Sequence, residues 1–353
     1  MQALVTEPGK AGTARIEEVA EPVGSAGDVL VRVVEVGVCG TDREIIDGRF
    51  GAPPEGRETL VLGHELLGVV AADGHGFARG DLVAATVRRS CGQCAACAAG
   101  SPDACLTGRY TERGITALDG FASELVAERP EHLVPVPARL ASIGVLSEPT
   151  SVGARAVRHA RIVGDRQTWR PARAIVLGTG AIGMLSALQM RLEGLEVWVT
   201  GHRPPDSQAA ALVEGLGARY VRAEPGTIEA LAAEVHGFDL VLEATGDAQA
   251  MASTVGLLAR SGVAVLLGID GRARDVAIDG RVLGTDFVLG NRALIGSVNA
   301  RGDDWHAAVD ALDRAWVRFG DVVEQFVGLR VPPGRFEDAL AFRGIKAALR
   351  FGA

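Results

Sequence analysis

Gly178-Thr179-Gly180-Ala181-Ile182-Gly183 lies between a short apolar run, residues 174–177, and a helix-forming stretch, residues 181–192. In a chain with 46 glycines a G-x-G-x-x-G spacing is weak alone, but its context restores its force. Glycine permits the tight turn out of a strand, lets the backbone approach a pyrophosphate, and leaves that phosphate at the positive end of a helix. The alternation then continues. Strand-like runs at 196–200, 240–243 and 264–267 are interleaved with helical stretches at 207–216, 227–235 and 248–259. That rhythm specifies a doubly wound parallel sheet, so residues 156–299 read as a Rossmann dinucleotide-binding domain.

An NAD site of this type places Asp or Glu at the end of the second strand, against the ribose hydroxyls. Here residues 197–200 run into Gly201-His202-Arg203-Pro204-Pro205, with no acid from 197 to 205. The planar guanidinium of Arg203 suits a 2′-phosphate, so His202 and Arg203 turn the expectation towards NADP, with NAD still usable. The bland alternative for Arg203 is a solvated surface charge.

The first 150 residues differ in character. Val-rich runs at 28–38, 67–72 and 81–87 alternate partially and are separated by Gly-containing turns, with Pro130, Pro135 and Pro137 nearby. They read as mainly β. A helix is expected at 303–319 and a β-like tail at 347–351. The fold class is therefore α/β with two domains.

Cysteine usage adds a metal. Cys91-x2-Cys94-x2-Cys97-x7-Cys105 offers four thiolates in one short loop, which suits a closed, structural tetrahedral zinc site. An iron–sulfur site or reactive thiols are the rival readings. The fifth cysteine lies in Val38-Cys39-Gly40-Thr41-Asp42, followed by Gly63-His64-Glu65 and then Ser147-Glu148-Pro149. One Cys, one His and one or two carboxylates make a catalytic zinc site with a position left for water or an alcohol. A lone Cys or His is more often core filler, so this trio stays open on its residues alone.

Composition excludes some partners. The formal charge of −8 argues against nucleic acid and anionic membranes, which are bound through clustered Lys and Arg. Only Lys10 and Lys346 are lysines among 36 basic residues, a bias read as coding composition. Residues 1–20 carry Glu7, Lys10, Arg15, Glu17 and Glu18 and so lack the apolar core of a signal peptide. The longest uncharged stretch, residues 174–190, is shorter than the about 20 residues a spanning helix needs. A cytoplasmic protein without membrane or nucleic-acid partners is expected.

Cys39-Gly-x-Asp42, Gly63-His64-Glu65, the four-cysteine lobe and the glycine fingerprint, in that order, resemble the zinc-dependent medium-chain alcohol dehydrogenase family over essentially the whole chain. Within it the chain is similar to the archaeal-type glucose dehydrogenases. Glu112-Arg-Gly-Ile before Gly120-Phe121, Glu148-Pro-Thr-Ser151, Gly296-Ser-Val-Asn299-Ala and Gly201-His-Arg203-Pro-Pro-Asp206 carry that finer likeness. Ala154-Arg155 and His202 depart from it.

The resemblance implies a GroES-like, β-rich catalytic domain formed by residues 1–155 and 300–353, with the Rossmann domain between, and an active site in the cleft between the domains. It places the catalytic zinc on Cys39, His64 and Glu148, with Glu65 as an alternating or neighbouring carboxylate. Thr41 takes the place of the proton-relaying hydroxyl, and Asp42 that of the acceptor orienting the His64 imidazole. Glu112 matches a carboxylate that holds sugar hydroxyls, and Asn299 an amide at the nicotinamide–sugar interface. Two zinc ions per chain, NADP, a polyhydroxylated substrate and a homodimer or homotetramer follow. The implied reaction is hydride transfer from a sugar or cyclitol hydroxyl. A dehydrogenase of simple secondary alcohols, polyols or amino alcohols is the alternative, and would have no need of Glu112. A non-enzymatic nucleotide sensor fits poorly with Cys39, Thr41, His64 and Glu148 all in place.

Overall fold

The structure, a computed structural model, describes residues 1–269 and 275–352. Contacts divide the chain into two compact units. Met1–Ser151, Asn299–Asp313 and Phe326–Ala353 form one; Val152–Val298 and Arg314–Gln325 form the other.

The second unit is built on six parallel strands in the order Arg219–Arg222, Glu196–Gly201, Arg173–Leu177, Phe238–Glu243, Leu258–Leu266, Ala293–Gly296. Chain order reverses at Arg173–Leu177, the switch point at which such sheets take their ligands. The middles of the central strands, 174–177, 197–199 and 240–242, are apolar because helices cover parallel sheets on both faces. Ile175, Trp198, Phe238, Val241 and Leu257 are buried together, with the Trp198 and Phe238 rings edge-on at 5.4 Å.

Helices Ala181–Leu192, Gln208–Gly215, Thr227–Glu234 and Ala248–Leu257 match the sequence reading to within two residues. The last of them stops short of 259 because Leu258 turns extended, ψ 134°, and already pairs with Phe238. The two edge strands are new. Arg219–Arg222 has charged ends and a half-buried middle, so it carries no apolar signature. Helix Ser147–Gly164 is also unanticipated, with Pro149 in its first turn, where a missing N–H leaves no helical bond unmade.

The first unit is β-rich, as its valines predict. A seven-stranded sheet centres on Val29–Val38. The start of this long strand pairs with Leu125–Glu128 and its end with Lys346–Arg350. Its other edge pairs with Glu65–Val70, with a bulge between Val33 and Glu35. Leu82–Ala85 and Leu133–Pro135 extend the sheet on that side, and Val327–Val331 runs parallel to Lys346–Arg350 on the other.

This pairing gathers chemistry at one corner. Glu65 faces Gly37, Ala347 faces Val38, and Cys39 follows directly. Residues remote in sequence thus begin or end neighbouring strands at the same edge. No helix among the described residues is long and apolar enough to cross a membrane.

Candidate active site

Cys39 caps helix Gly40–Ile46: its sulfur accepts from the Thr41 N–H at 3.3 Å, and Asp42 Oδ2 accepts from the Cys39 N–H at 2.8 Å. This reciprocal cap fixes the thiol at the strand end. His64 Nε2 lies 3.2 Å from Cys39 Sγ, and His64 Nδ1 faces Asp42 Oδ1 at 3.5 Å. Donor atoms of Cys39, His64 and Glu65 all fall within 4.8 Å of one another. Glu65 is placed by glycine: a Cβ on Gly37 would sit 2.0 Å from Glu65 Oε2.

The corner is buried. His64, Asp42 and Glu65 are at most 4% exposed, and Glu65 Oε2 has no hydrogen-bond partner. Burial opposes a charge on His64, yet the Cys39 thiolate and Asp42 outweigh it and raise the imidazole pKa well above its ordinary value. Burial likewise opposes the Asp42 charge, but His64 and the Cys39 N–H hold that carboxyl below the usual range. Glu148, at the start of helix Ser147–Gly164, is pushed up to about 7 by burial and by the Glu65 carboxylate. The pocket therefore favours a cation beside the His64 Nε2 and Glu65 Oε2 atoms. A soft thiolate, an imidazole and a carboxylate are a donor set that zinc accepts, so the residues present fit the metal.

Two features differ in emphasis from the sequence reading. Glu65 groups with Cys39 and His64, whereas Glu148 lies outside that set of donors. Lys346 went unread. It is 2% exposed and donates from Nζ to Glu65 Oε1 at 2.6 Å; burial opposes its charge, but Glu65 and Cys39 raise its pKa. Its signal was present: one of two lysines in an arginine-rich chain, in a strand otherwise apolar up to its last residue.

The four cysteines also come together, with Cys91 and Cys97 sulfurs 3.6 Å apart and those of Cys94 and Cys105 3.9 Å apart. None is in a disulfide. Cys94 caps the short helix Ala95–Ala98, which turns Cys97 back towards Cys91. The Thr107 hydroxyl and the N–H groups of Gln93 and Cys94 bring the Cys91 thiol down to about 5, so it is a thiolate at neutral pH. Four cysteine sulfurs gathered in this way fit a closed structural zinc site.

Glu112 and Asn299, far apart in sequence, meet: Asn299 Nδ2 donates to Glu112 Oε1 at 2.8 Å. Asn299 holds φ at +66°, a left-handed conformation that aims its amide and that Asn tolerates better than most residues. Arg88 Nε donates to the same carboxylate oxygen at 2.9 Å. Arg88 is a second residue the sequence reading missed.

In the second unit Gly178 has φ +113° and Gly180 caps helix Ala181–Leu192 with open space where a side chain would stand. A Cβ on Gly183 would lie 2.2 Å from the Gly178 carbonyl oxygen, so the third glycine seats the helix on the strand. Thr179, Ala181 and Ile182 complete the turn. His202 and Arg203 are exposed beyond the second strand, and the Tyr220 hydroxyl donates to the Arg203 carbonyl at 2.7 Å. Arg222 faces Gly201 from the neighbouring strand and brings a second guanidinium to the same edge.

Residues 25–138 match the family described as Alcohol dehydrogenase GroES-like domain, and residues 141–351 the family described as Glucose dehydrogenase C-terminus. The chain belongs to the zinc-dependent medium-chain alcohol dehydrogenases. The glucose 1-dehydrogenase of Methanocella arvoryzae is 38% identical over 94% of this chain and 93% of its own. That of Thermoproteus tenax is 40% identical over 96% and 95%. Among solved structures, Haloferax mediterranei glucose dehydrogenase in complex with NADP, Zn and gluconolactone superposes with a TM-score of 0.91 at 31% identity, covering 100% of both chains. Like other members of this dehydrogenase family, the protein is an NAD(P)-dependent oxidoreductase acting on CH–OH groups.

Proposed function

We propose that this dehydrogenase oxidises an aldose or cyclitol, with glucose the type substrate, and uses NADP in preference to NAD. The observation that carries the reading is the Glu112–Asn299 contact, a buried carboxylate held by an amide from the other end of the chain. A simple alcohol has one hydroxyl and needs no such fixed acceptor; a polyhydroxylated substrate needs several. Relatives named as glucose 1-dehydrogenases across nearly the whole chain support the same reading.

Cys39, His64 and Glu65 would hold the catalytic zinc, with Glu148 as a further carboxylate beside them. Bound there, zinc lowers the pKa of a substrate hydroxyl and fixes its direction. Asp42 faces the Nδ1 side of His64 and so leaves Nε2 as the atom that would bind the metal, the usual role of a carboxylate behind a metal-binding imidazole. Thr41 relays the hydroxyl proton through Oγ1 towards solvent. Lys346 balances the Glu65 charge and holds one carboxylate oxygen, leaving Oε2 for the metal. Gly178, Thr179 and Gly180 would hold the pyrophosphate of NADP, and His202 and Arg203 its 2′-phosphate; bound there, the cofactor would supply the hydride acceptor. Cys91, Cys94, Cys97 and Cys105 would hold a second, structural zinc.

Glu112→Ala tests the substrate. A hydrogen bond to a carboxylate is worth about 1.5–3 kcal/mol, so kcat/KM for an aldose should fall on the order of 10- to 100-fold, with little change for a small secondary alcohol. Equal, negligible effects on both would favour the simple-alcohol reading.

A further inference from the structure

Arg88 stands between two features usually treated apart. It is 8% exposed, three residues before Cys91, and in the strand that pairs with Glu112. Its Nε donates to Glu112 Oε1, and its Nη1 donates to the Asp103 carbonyl oxygen at 2.9 Å. Asp103 lies in the turn Pro102–Ala104, between Cys97 and Cys105. The Arg88 guanidinium also stacks 3.7 Å over the Tyr110 ring. One side chain therefore grips the return limb of the cysteine lobe and the carboxylate that Asn299 shares.

We propose that Arg88 is a positioning residue that couples the four-cysteine lobe to the Glu112–Asn299 pair and so sets affinity for a polyhydroxylated substrate. The inference rests on the reading of Glu112 as a sugar contact only for its effect on substrate. The physical reason is geometric. A guanidinium supplies directed donors from one rigid plane and a flat face for the aromatic ring, so the lobe, Tyr110 and Glu112 are held in one register. An ammonium group cannot meet all three. Arg89 is no substitute, since it turns to Glu128 and to the Thr86 carbonyl. Coupling of this kind is reciprocal: whatever fixes Glu112 also fixes the lobe.

The test uses the zinc-loaded enzyme with Arg88→Lys and Arg88→Ala. Steady-state kinetics with an aldose and with a small secondary alcohol are read beside zinc per chain and the rate at which pyridylazoresorcinol removes lobe zinc. For Arg88→Ala the aldose KM should rise on the order of 10-fold with kcat changed less than about threefold, and the alcohol KM should move several-fold less. Lys should restore only part of the aldose KM. An aldose should slow lobe zinc loss in the wild type and not in Arg88→Ala. Equal shifts for both substrates, full rescue by Lys, or unaltered protection by the aldose would overturn the proposal. Should the Ala variant fail to fold, Arg88→Lys carries the same comparisons. Glu112→Ala separates the two inferences, because it frees Arg88 and should speed lobe zinc loss with no sugar present. Faster loss with an unchanged aldose KM would sink the substrate reading and leave the coupling standing; unchanged loss would sink the coupling.

Discussion

Gly37 and Glu65 face each other across two antiparallel strands, and the Glu65 carboxylate occupies the space a Gly37 side chain would take. Lys346 holds the far oxygen of that carboxylate, so Glu65 has little room to retreat. Gly37→Ala should therefore overpack the corner at a cost of about 1–3 kcal/mol. Zinc per chain should drop from two towards one and turnover should fall, while the lobe zinc is retained. Metal analysis with thermal unfolding checks this; full zinc and an unaltered melting temperature would show that Glu65 moves freely.

The two metal groups should part under mutation. Cys39→Ser should remove one zinc and abolish turnover while the fold survives, because the strand pairing on either side of it does not involve the thiol. Cys94→Ser should instead lower stability, since a closed thiolate site contributes directly to folding. Metal content and melting temperature of both variants, measured after the same purification, decide it. An active enzyme without zinc would overturn the mechanism.

The proposed preference for NADP can be tested at the edge of the second strand. Arg203→Ala should narrow the preference for NADP over NAD chiefly through a higher KM for NADP, because the 2′-phosphate is remote from the reacting carbon. Arg222, opposite Gly201, is positioned to retain part of the preference, so the double variant should lose more than either single one. Kinetics with both cofactors read this directly. A wild-type preference for NAD of about tenfold would contradict the reading.

Acid should destabilise the protein through His132. Burial, reinforced by the neighbouring Arg89 charge, lowers its pKa to about 4, and its Nδ1 lies 3.2 Å from the Thr86 hydroxyl. Unfolded, it takes its proton near 6.5. Between those values the unfolded chain binds more protons, so stability contributed by this residue falls as pH drops from about 6.5 to 4. His132→Gln should flatten that part of the unfolding profile. Parallel wild-type and variant curves would assign the loss elsewhere.

What could be read from the sequence follows the distance over which each feature is written. The cysteine lobe and the glycine turn close within a few residues, and their spacing alone states their geometry. Cys39 and His64, with Glu65 or Glu148, form only an open grouping on residue type, and the resemblance favours Glu148; strand pairing is what brings Glu65 to Cys39 and His64. The Lys346–Glu65 pair spans 281 positions and the Asn299–Glu112 pair 187, so no local pattern encodes either contact. The resemblance still points to Glu112 and Asn299, whereas nothing near Lys346 in sequence marks it as more than composition. Helix Ser147–Gly164 escaped because Pro149 reads as a breaker unless its place in the first turn is known. Arg219–Arg222 escaped because an edge strand needs no continuous apolar run.

The strand Val29–Val38 takes Lys346–Arg350 as its neighbour, and that neighbour is written more than 300 residues later. During synthesis, which runs from the N-terminus and yields domains as they are completed, this corner must wait for almost the entire chain. The cysteine lobe, closed between Cys91 and Cys105, can take its metal while most of the protein is still unmade. The two donor sets are thus completed at different stages of synthesis: the lobe once Cys105 has been made, the Cys39 corner only when Lys346 and its strand can pair with Val29–Val38.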